Sequence, residues 1–209
     1  MCGICGRLTW GAPGPAGEID ILRSMNASIT HRGPDDDGFF SGSLSSPSSF
    51  QGSVGLAMRR LSIIDLAGGK QPIENENGDV VVVYNGEIYN FLELRKELEE
   101  AGHIFRTRSD TEVIVHGYEV WGDAVAQRLN GMFAFALWDK RRARLLLARD
   151  RMGIKPLYYA QAQGRLIFGS ELKSVMADPA VSREVDPLAI SEYLSLRYIP
   201  APHSIYQAV

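Results

Sequence analysis

Cysteine is scarce: of 209 residues only Cys2 and Cys5 carry a thiol. Two thiols three positions apart exclude a disulfide framework and a four-thiolate zinc site. Long apolar runs are missing too. No stretch approaches the roughly 18 apolar residues of a membrane span, and the N-terminus lacks the basic-then-apolar build of a secretion signal. No membrane partner is therefore expected, and a cytoplasmic location is. An excess of one charge is also absent, because 22 Lys and Arg against 25 Asp and Glu leave a net charge of -3 with the two signs interspersed. That removes the electrostatic footprint of a nucleic-acid-binding protein. The four histidines, His31, His103, His116 and His203, are scattered without evident close partners, so no metal is expected. Ala67-Gly-Gly-Lys70 lacks the upstream glycine and the Ser or Thr after Lys that a phosphate loop needs.

What is present suits a folded, soluble globular protein: apolar residues make up 45% and charged residues 22%. Strand-like runs are Gly3 to Trp10, Val54 to Leu61 and Asp79 to Tyr84, the last holding four consecutive valines. Ala12 to Gly17 reads as a Pro/Gly turn, and the Ser/Gly-rich stretch from Phe40 to Gly52 as an exposed loop between edge strands. A short helix is expected over Ile19 to Ser28, and helical spacing of apolar residues appears over Phe91 to Ala101 and Thr111 to Trp121, with Ser109 or Asp110 placed to cap the last. Met132 to Trp138, Arg144 to Arg149, Leu157 to Gln161 and Leu166 to Gly169 read as an antiparallel meander. Helical stretches near Glu171 to Ala177 and Pro187 to Leu196 follow. Strand clusters separated by helix pairs point to an α+β fold, two facing antiparallel sheets with helices outside.

Cys2 is the most informative residue. Removal of Met1 leaves it with a free α-amine, whose reference pKa of about 7.7–8.0 lets it accept the thiol proton near neutral pH. Nucleophile and base then sit on one residue, and no catalytic His is needed. Cys2-Gly-Ile-Cys5 also has the spacing of a redox pair, but such pairs stand at the start of a helix after a strand, whereas this one opens the chain. Asn85-Gly86-Glu87 follows the valine run; it is either a simple Asn-Gly turn or a pair of donors, the Asn amide and the Gly N–H, able to hold an oxyanion. Arg60 and Asp110 supply the opposite charges that recognition of an amino acid's carboxylate and ammonium requires, although a solvated arginine and a plain helix cap are the alternatives.

Taken together and in this order, Met1-Cys-Gly-Ile, His31-Arg-Gly-Pro-Asp35, Arg60-Leu-Ser-Ile-Ile-Asp65, Tyr84-Asn-Gly-Glu-Ile-Tyr-Asn90, Arg108-Ser-Asp-Thr-Glu112, Asn130 to Ala136 and Ala148 to Tyr158 resemble the class II glutamine amidotransferases. Arg60 to Asp65, Ser170-Glu-Leu-Lys173 and Tyr193 to Val209 are most similar to glutamine-hydrolysing asparagine synthetases and their exopolysaccharide- or peptide-modifying relatives. The resemblance implies the four-layer αββα sandwich of the N-terminal-nucleophile hydrolases. It implies that Cys2 attacks the glutamine amide, that Asn85 and Gly86 stabilise the oxyanion, and that water resolves a γ-glutamyl thioester to glutamate. Arg60 would bind the substrate carboxylate and Asp110 its ammonium; Leu61, Ser62, Ile63, Ile64 and Glu87 would complete the pocket, and Arg32 and Gly33 would brace the N-terminus.

The same likeness implies a glutaminase domain over residues 1–196 and, over 197–209, a linker towards a C-terminal ATP-dependent synthetase domain that this chain does not contain. No cofactor is expected here, since ATP and Mg belong to that domain. Glutamine and the synthetase half are the implied partners, and a homodimer is left open. The rival functions are a catalytically silent scaffold of the same fold and a dithiol redox protein.

Overall fold

The computed structural model of the protein describes residues 2–11, 18–45, 51–61 and 69–209. The turn expected over Ala12 to Gly17 and the pocket residues Ser62, Ile63 and Ile64 lie outside the described residues. Nine strands form two antiparallel sheets among the described residues. The first has the order β2 (Asp36–Ser45), β3 (Gln51–Arg60), β1 (Gly3–Trp10), β9 (Arg165–Gly169), β8 (Tyr158–Ala162), and the second β4 (Ile73–Glu74), β5 (Val80–Ile88), β6 (Gly131–Asp139), β7 (Arg144–Arg149). Helices α1 (Glu18–Ser28) and α5 (Leu172–Val175) pack with the first sheet; α2 (Phe91–Glu100), α3 (Glu112–Trp121) and the single turn α4 (Val125–Arg128) belong with the second. A sixth helix, α6 (Pro187–Leu196), follows.

The side-chain period of two in a strand explains these layers. In β5, Val80, Val82 and Tyr84 enter the core beneath α2 and α3, whereas Val81 and Val83 enter the layer between the sheets. β6 divides in the same way, Phe133, Phe135 and Leu137 to the helix side and Ala134, Ala136 and Trp138 to the sheet side. In the first sheet Ile4, Leu56 and Phe168 face the inter-sheet layer, while Cys5, Ala57 and Ile167 face α1 and α5. Strands buried on both faces read as unbroken apolar runs, which is why the valines show no alternation. The architecture is the expected α+β sandwich with layers helix, sheet, sheet, helix.

Two expectations are corrected. The stretch from Phe40 to Gly52 is no simple loop, since Phe40 to Ser45 and Gln51 to Gly52 are paired in the β2–β3 ladder. An edge strand is held by backbone hydrogen bonds, so its outward side chains can be Ser and Gly without apolar alternation. The meander is likewise divided: β6 and β7 pair in one sheet and β8 and β9 in the other, with β9 bonded to β1. Short strand signals of equal strength carry no label for which sheet they join.

Where the chain turns, local chemistry is legible. Helix α2 ends as Gly102 takes φ +98°, and the His103 N–H bonds back to the Leu98 carbonyl at 3.0 Å. Lys140 to Arg144 is the expected turn joining β6 to β7. At the far end Asp186 N–H donates to Ile205 O and Gln207 N–H to Glu184 O, and Tyr206, Ala208 and Val209 pack against the α1–α5 core. No helix among the described residues is long and apolar enough to cross a membrane. Because Leu56 is fully buried between the sheets, Leu56→Ala is expected to lower the unfolding free energy by about 2–5 kcal/mol, readable as a lower midpoint in urea denaturation at unchanged slope.

Candidate active site

A cavity of about 130 Å³ opens where the start of β1, the end of β3, the middle of β5 and the N-terminus of α3 converge, and Cys2, Arg60, Leu61, Asn85, Gly86, Glu87 and Asp110 all line it. The Cys2 thiol lies 3.4 Å from the Leu61 N–H and 3.7 Å from the Leu61 carbonyl. Its own carbonyl accepts from Arg32 Nε at 3.0 Å. Arg32 is in turn held by Glu171, 3.0 Å from Nη1, and that carboxylate also meets His31 Nε2 at 2.8 Å and Lys173 Nζ at 3.2 Å. Burial would raise the Glu171 carboxyl, but the contacts with Arg32, His31 and Lys173 outweigh it and hold the group below the ordinary carboxylate range. Gly33 follows because a Cβ there would stand 2.4 Å from the Arg59 carbonyl carbon.

Asn85 and Gly86 do not follow the valine strand, as the sequence suggests; they lie inside β5, paired with Ala134 and Phe133 of β6. The turn reading of Asn85-Gly86 is thereby replaced. A Cβ on Gly86 would meet the Met132 carbonyl oxygen at 2.3 Å, so only glycine fits the approach of the two strands. Asn85 is 1% exposed, and its Nδ2 is buried without a hydrogen-bond partner. A buried amide donor left unmade costs about 1–3 kcal/mol, a cost that an acceptor in the cavity could remove.

Asp110 is no helix cap. Its Oδ2 accepts from the Ile88 N–H at 2.9 Å and from the Tyr84 hydroxyl at 3.1 Å, both on β5, while the cap-like bond at α3 runs from the Thr111 N–H to Ser109 Oγ at 3.2 Å. Burial pushes the Asp110 carboxyl up despite those donors. The Glu87 carboxyl is also raised, first by burial and then by the charge of Asp110, with Lys155 opposing. Two carboxylates in one small cavity favour a ligand carrying a positive charge. Arg60, 5% exposed at the end of β3, places a guanidinium on the same cavity.

Tyr84, Gln71 and Lys155 also line the cavity and were not singled out from the sequence. Gln71 Oε1 accepts from the Tyr84 N–H at 2.7 Å. Lys155 is brought in by a turn wound around Asp150, whose carboxylate accepts the N–H groups of Phe133, Met152, Ile154 and Lys155 at 2.9–3.2 Å. The only available signal was the Asp150-to-Lys155 spacing itself. Cys5 points away, fully buried on the α1 side, where burial pushes its thiol up to about 12. An inert thiol on the opposite face of β1 leaves the dithiol redox reading without a reactive pair.

The expectation that the histidines lack close partners is overturned. His31 meets Glu171, His203 meets Glu192, and the rings of His103 and His116 stand with centroids 5.0 Å apart beside Glu76 and Glu119. The turn after α2 carries residue 103 back against α3, a proximity that thirteen residues of separation conceal.

The raised Asp110 carboxyl has a sign that can be tested. Its ionised form is disfavoured in the folded chain, so it lowers stability above its folded pKa, and the penalty fades as pH falls through that value. Asp110→Asn is therefore expected to melt at a higher temperature than the parent at pH 7, with the difference shrinking towards pH 4, measured by circular dichroism.

A family model described as glutamine amidotransferase domain matches residues 1–209. Asparagine synthetase [glutamine-hydrolyzing] 1 of Bacillus subtilis is 42% identical over 190 residues, 91% of this chain and 28% of its own length. A second B. subtilis protein, asparagine synthetase [glutamine-hydrolyzing] 2, is 44% identical over 88% of this chain and 23% of its own length. A putative asparagine synthetase [glutamine-hydrolyzing] of Mycobacterium tuberculosis H37Rv is 41% identical over 100% of this chain and 33% of its length. The chain thus spans about a quarter to a third of these relatives. Among solved structures, glutamine phosphoribosylpyrophosphate amidotransferase from B. subtilis superposes with a TM-score of 0.64 at 21% identity, over 84% of this chain and 43% of that one, which shows the N-terminal-nucleophile hydrolase fold. With that fold and a family match along its whole length, this chain belongs to the glutamine amidotransferase domain family.

Proposed function

We propose that this domain hydrolyses glutamine to glutamate and ammonia at Cys2, and that in the longer protein the ammonia feeds an asparagine synthetase-type reaction. The observation that carries the reading is the buried, unpartnered amide donor of Asn85 on the same cavity as the Cys2 thiol. After Met1 is removed, the α-amine of Cys2 takes the thiol proton and the thiolate attacks the glutamine amide carbon. The resulting oxyanion is held by Asn85 Nδ2 and the Gly86 N–H. Collapse breaks the carbon–nitrogen bond and expels ammonia, protonated by the α-ammonium, leaving a γ-glutamyl thioester. Water, deprotonated by the same amine, then releases glutamate and restores the thiol.

Substrate recognition follows the charges. Arg60 pairs the α-carboxylate beside Leu61, and Asp110 and Glu87 take the α-ammonium. A buried carboxyl whose ionised form is disfavoured gains most from a bound cation, so the substrate ammonium offsets the cost of burying Asp110 and Glu87. Arg32 and Gly33 act by holding the Cys2 carbonyl and the approach to β3.

The synthetase half, with its ATP and Mg, is the proposed partner in the cytoplasm, reached through residues 197–209. Helix α6 supports this, since Leu188, Ile190, Leu194 and Leu196 leave apolar surface exposed beside that segment. Intact mass would first establish loss of Met1, after which glutamate and ammonia are quantified with glutamine as substrate. Equimolar products, absent in Cys2→Ala, are expected; no turnover and no labelling of Cys2 by a glutamine-like electrophile would leave a scaffold. Asn85→Ala is expected to lower kcat by about 100- to 1000-fold, whereas Arg60→Ala should act chiefly through KM in steady-state kinetics.

A further inference from the structure

On the outer side of the second sheet, away from the Cys2 cavity, three segments bring four metal-ligating side chains together. Glu76 follows β4, His103 follows the glycine stop of α2, and His116 and Glu119 share one face of α3 at i and i+3. One ligand atom from each lies within 4.8 Å of all the others. His103 Nδ1 stands 3.3 Å from Glu76 Oε1 and 3.7 Å from Glu119 Oε2; His116 Nδ1 stands 3.4 Å from Glu76 Oε2 and 3.5 Å from Glu119 Oε2. Bonds of about 2.0–2.2 Å to a tetrahedral ion would separate the ligand atoms by roughly 3.3–3.6 Å. The four histidine–carboxylate separations, which use both oxygens of Glu76, lie at 3.3–3.7 Å, close to that spacing.

His116 supplies the second, independent observation. Its side chain is 1% exposed, and neither ring nitrogen has a hydrogen-bond partner. Nε2 faces Glu112 Oε1 at 3.5 Å, while Nδ1 faces Glu76 and Glu119. A neutral imidazole has one N–H, so one of its nitrogens would aim a lone pair at carboxylate oxygens. A cation between Nδ1 and those oxygens removes the conflict: Nε2–H serves Glu112 and the Nδ1 lone pair serves the ion.

The surroundings are built for that arrangement. Glu112 is fixed as an acceptor by the Arg106 N–H, the Thr107 N–H and the Thr107 hydroxyl at 2.6–2.8 Å, the carboxylate–histidine pairing that orients metal-bound rings. Glu119 Oε1 is occupied by Asn75 Nδ2 at 2.7 Å, leaving Oε2 turned to the histidines, and Glu76 Oε1 is oriented by the Ile104 N–H at 3.1 Å. Phe105 closes one side, its ring 4.6 Å from that of His116. Glu119, Glu76 and His103 keep partial exposure, which gives an ion a way in.

We propose that Glu76, His103, His116 and Glu119 bind one divalent ion of the zinc class, a structural site that clamps the segments at residues 76 and 103–107 to α3. Two imidazole nitrogens and two carboxylate oxygens suit zinc over magnesium or calcium, which prefer all-oxygen shells. With all four positions filled by protein, the ion activates no water and has a holding role.

The untagged protein, stripped with chelator and reloaded with zinc chloride, is passed through gel filtration and its metal measured by mass spectrometry. About one zinc per chain is expected in the parent and in Cys2→Ala, and less than about a tenth of that in His103→Asn and His116→Asn. Zinc should raise the melting temperature of the stripped parent by several degrees, with no rise for magnesium. His103→Asn, the less buried change, keeps the test valid should His116→Asn fail to fold. Substoichiometric zinc in the parent, or equal zinc in His103→Asn, would overturn the site, whatever the outcome with glutamine.

Discussion

Ile4, Leu56, Val83 and Ala136 meet in the apolar layer between the two sheets, and the placement of every group in the Cys2 cavity depends on that layer. β1 begins where the layer ends, so Cys2 sits at its edge, packed against the same side chains that bury Val81 and Val83 of β5. Two residues further along β5 stands Asn85, on the opposite sheet and facing the same cavity. The Cys2 thiol and the Asn85 amide thus reach the cavity from different sheets. Their separation is set by close packing of side chains rather than by any bond between them, and a protein interior at crystal-like density permits little slack in that distance.

Around this frame the cavity holds polar groups at a cost in stability. Asn85 keeps an amide donor without a partner, and Asp110 and Glu87 keep carboxyls whose ionised forms burial disfavours. None would be retained by selection for stability alone. The contrast with Glu171 and Asp150 is instructive, because there, surrounding donors outweigh burial and lower the carboxyls. Those two act on the backbone, Glu171 through Arg32 on the Cys2 carbonyl and Asp150 on the turn that delivers Lys155.

The histidine cluster on α3 repeats that logic on the outer face. Asp110 reaches the cavity from the segment two residues before α3, and later turns of the helix present His116 and Glu119 to Glu76 and His103. Glu112, between them, ties the segment at Arg106 and Thr107 to the helix.

Much was determined by the sequence alone. Apolar spacing marked α2 and α3, a strand-like run marked β1, helical stretches marked α1 and α6, Gly102 marked the end of α2, and Cys2, Asn85, Gly86, Arg60, Glu87 and Asp110 were legible as a set and do share one cavity. These features are local: a helix face, a strand period or a residue after Met1 declares itself within a few positions. Tertiary structure alone decided the rest. The β6–β9 run was divided between sheets, Ser- and Gly-rich β2 became an edge strand, Asp110 bonded to β5 instead of capping its helix, and His103 met His116. In each case the deciding partner belongs to another segment, the next strand for β2 and more distant ones for β9 and Asp110, and pairing between segments leaves no period in the sequence from which to read it.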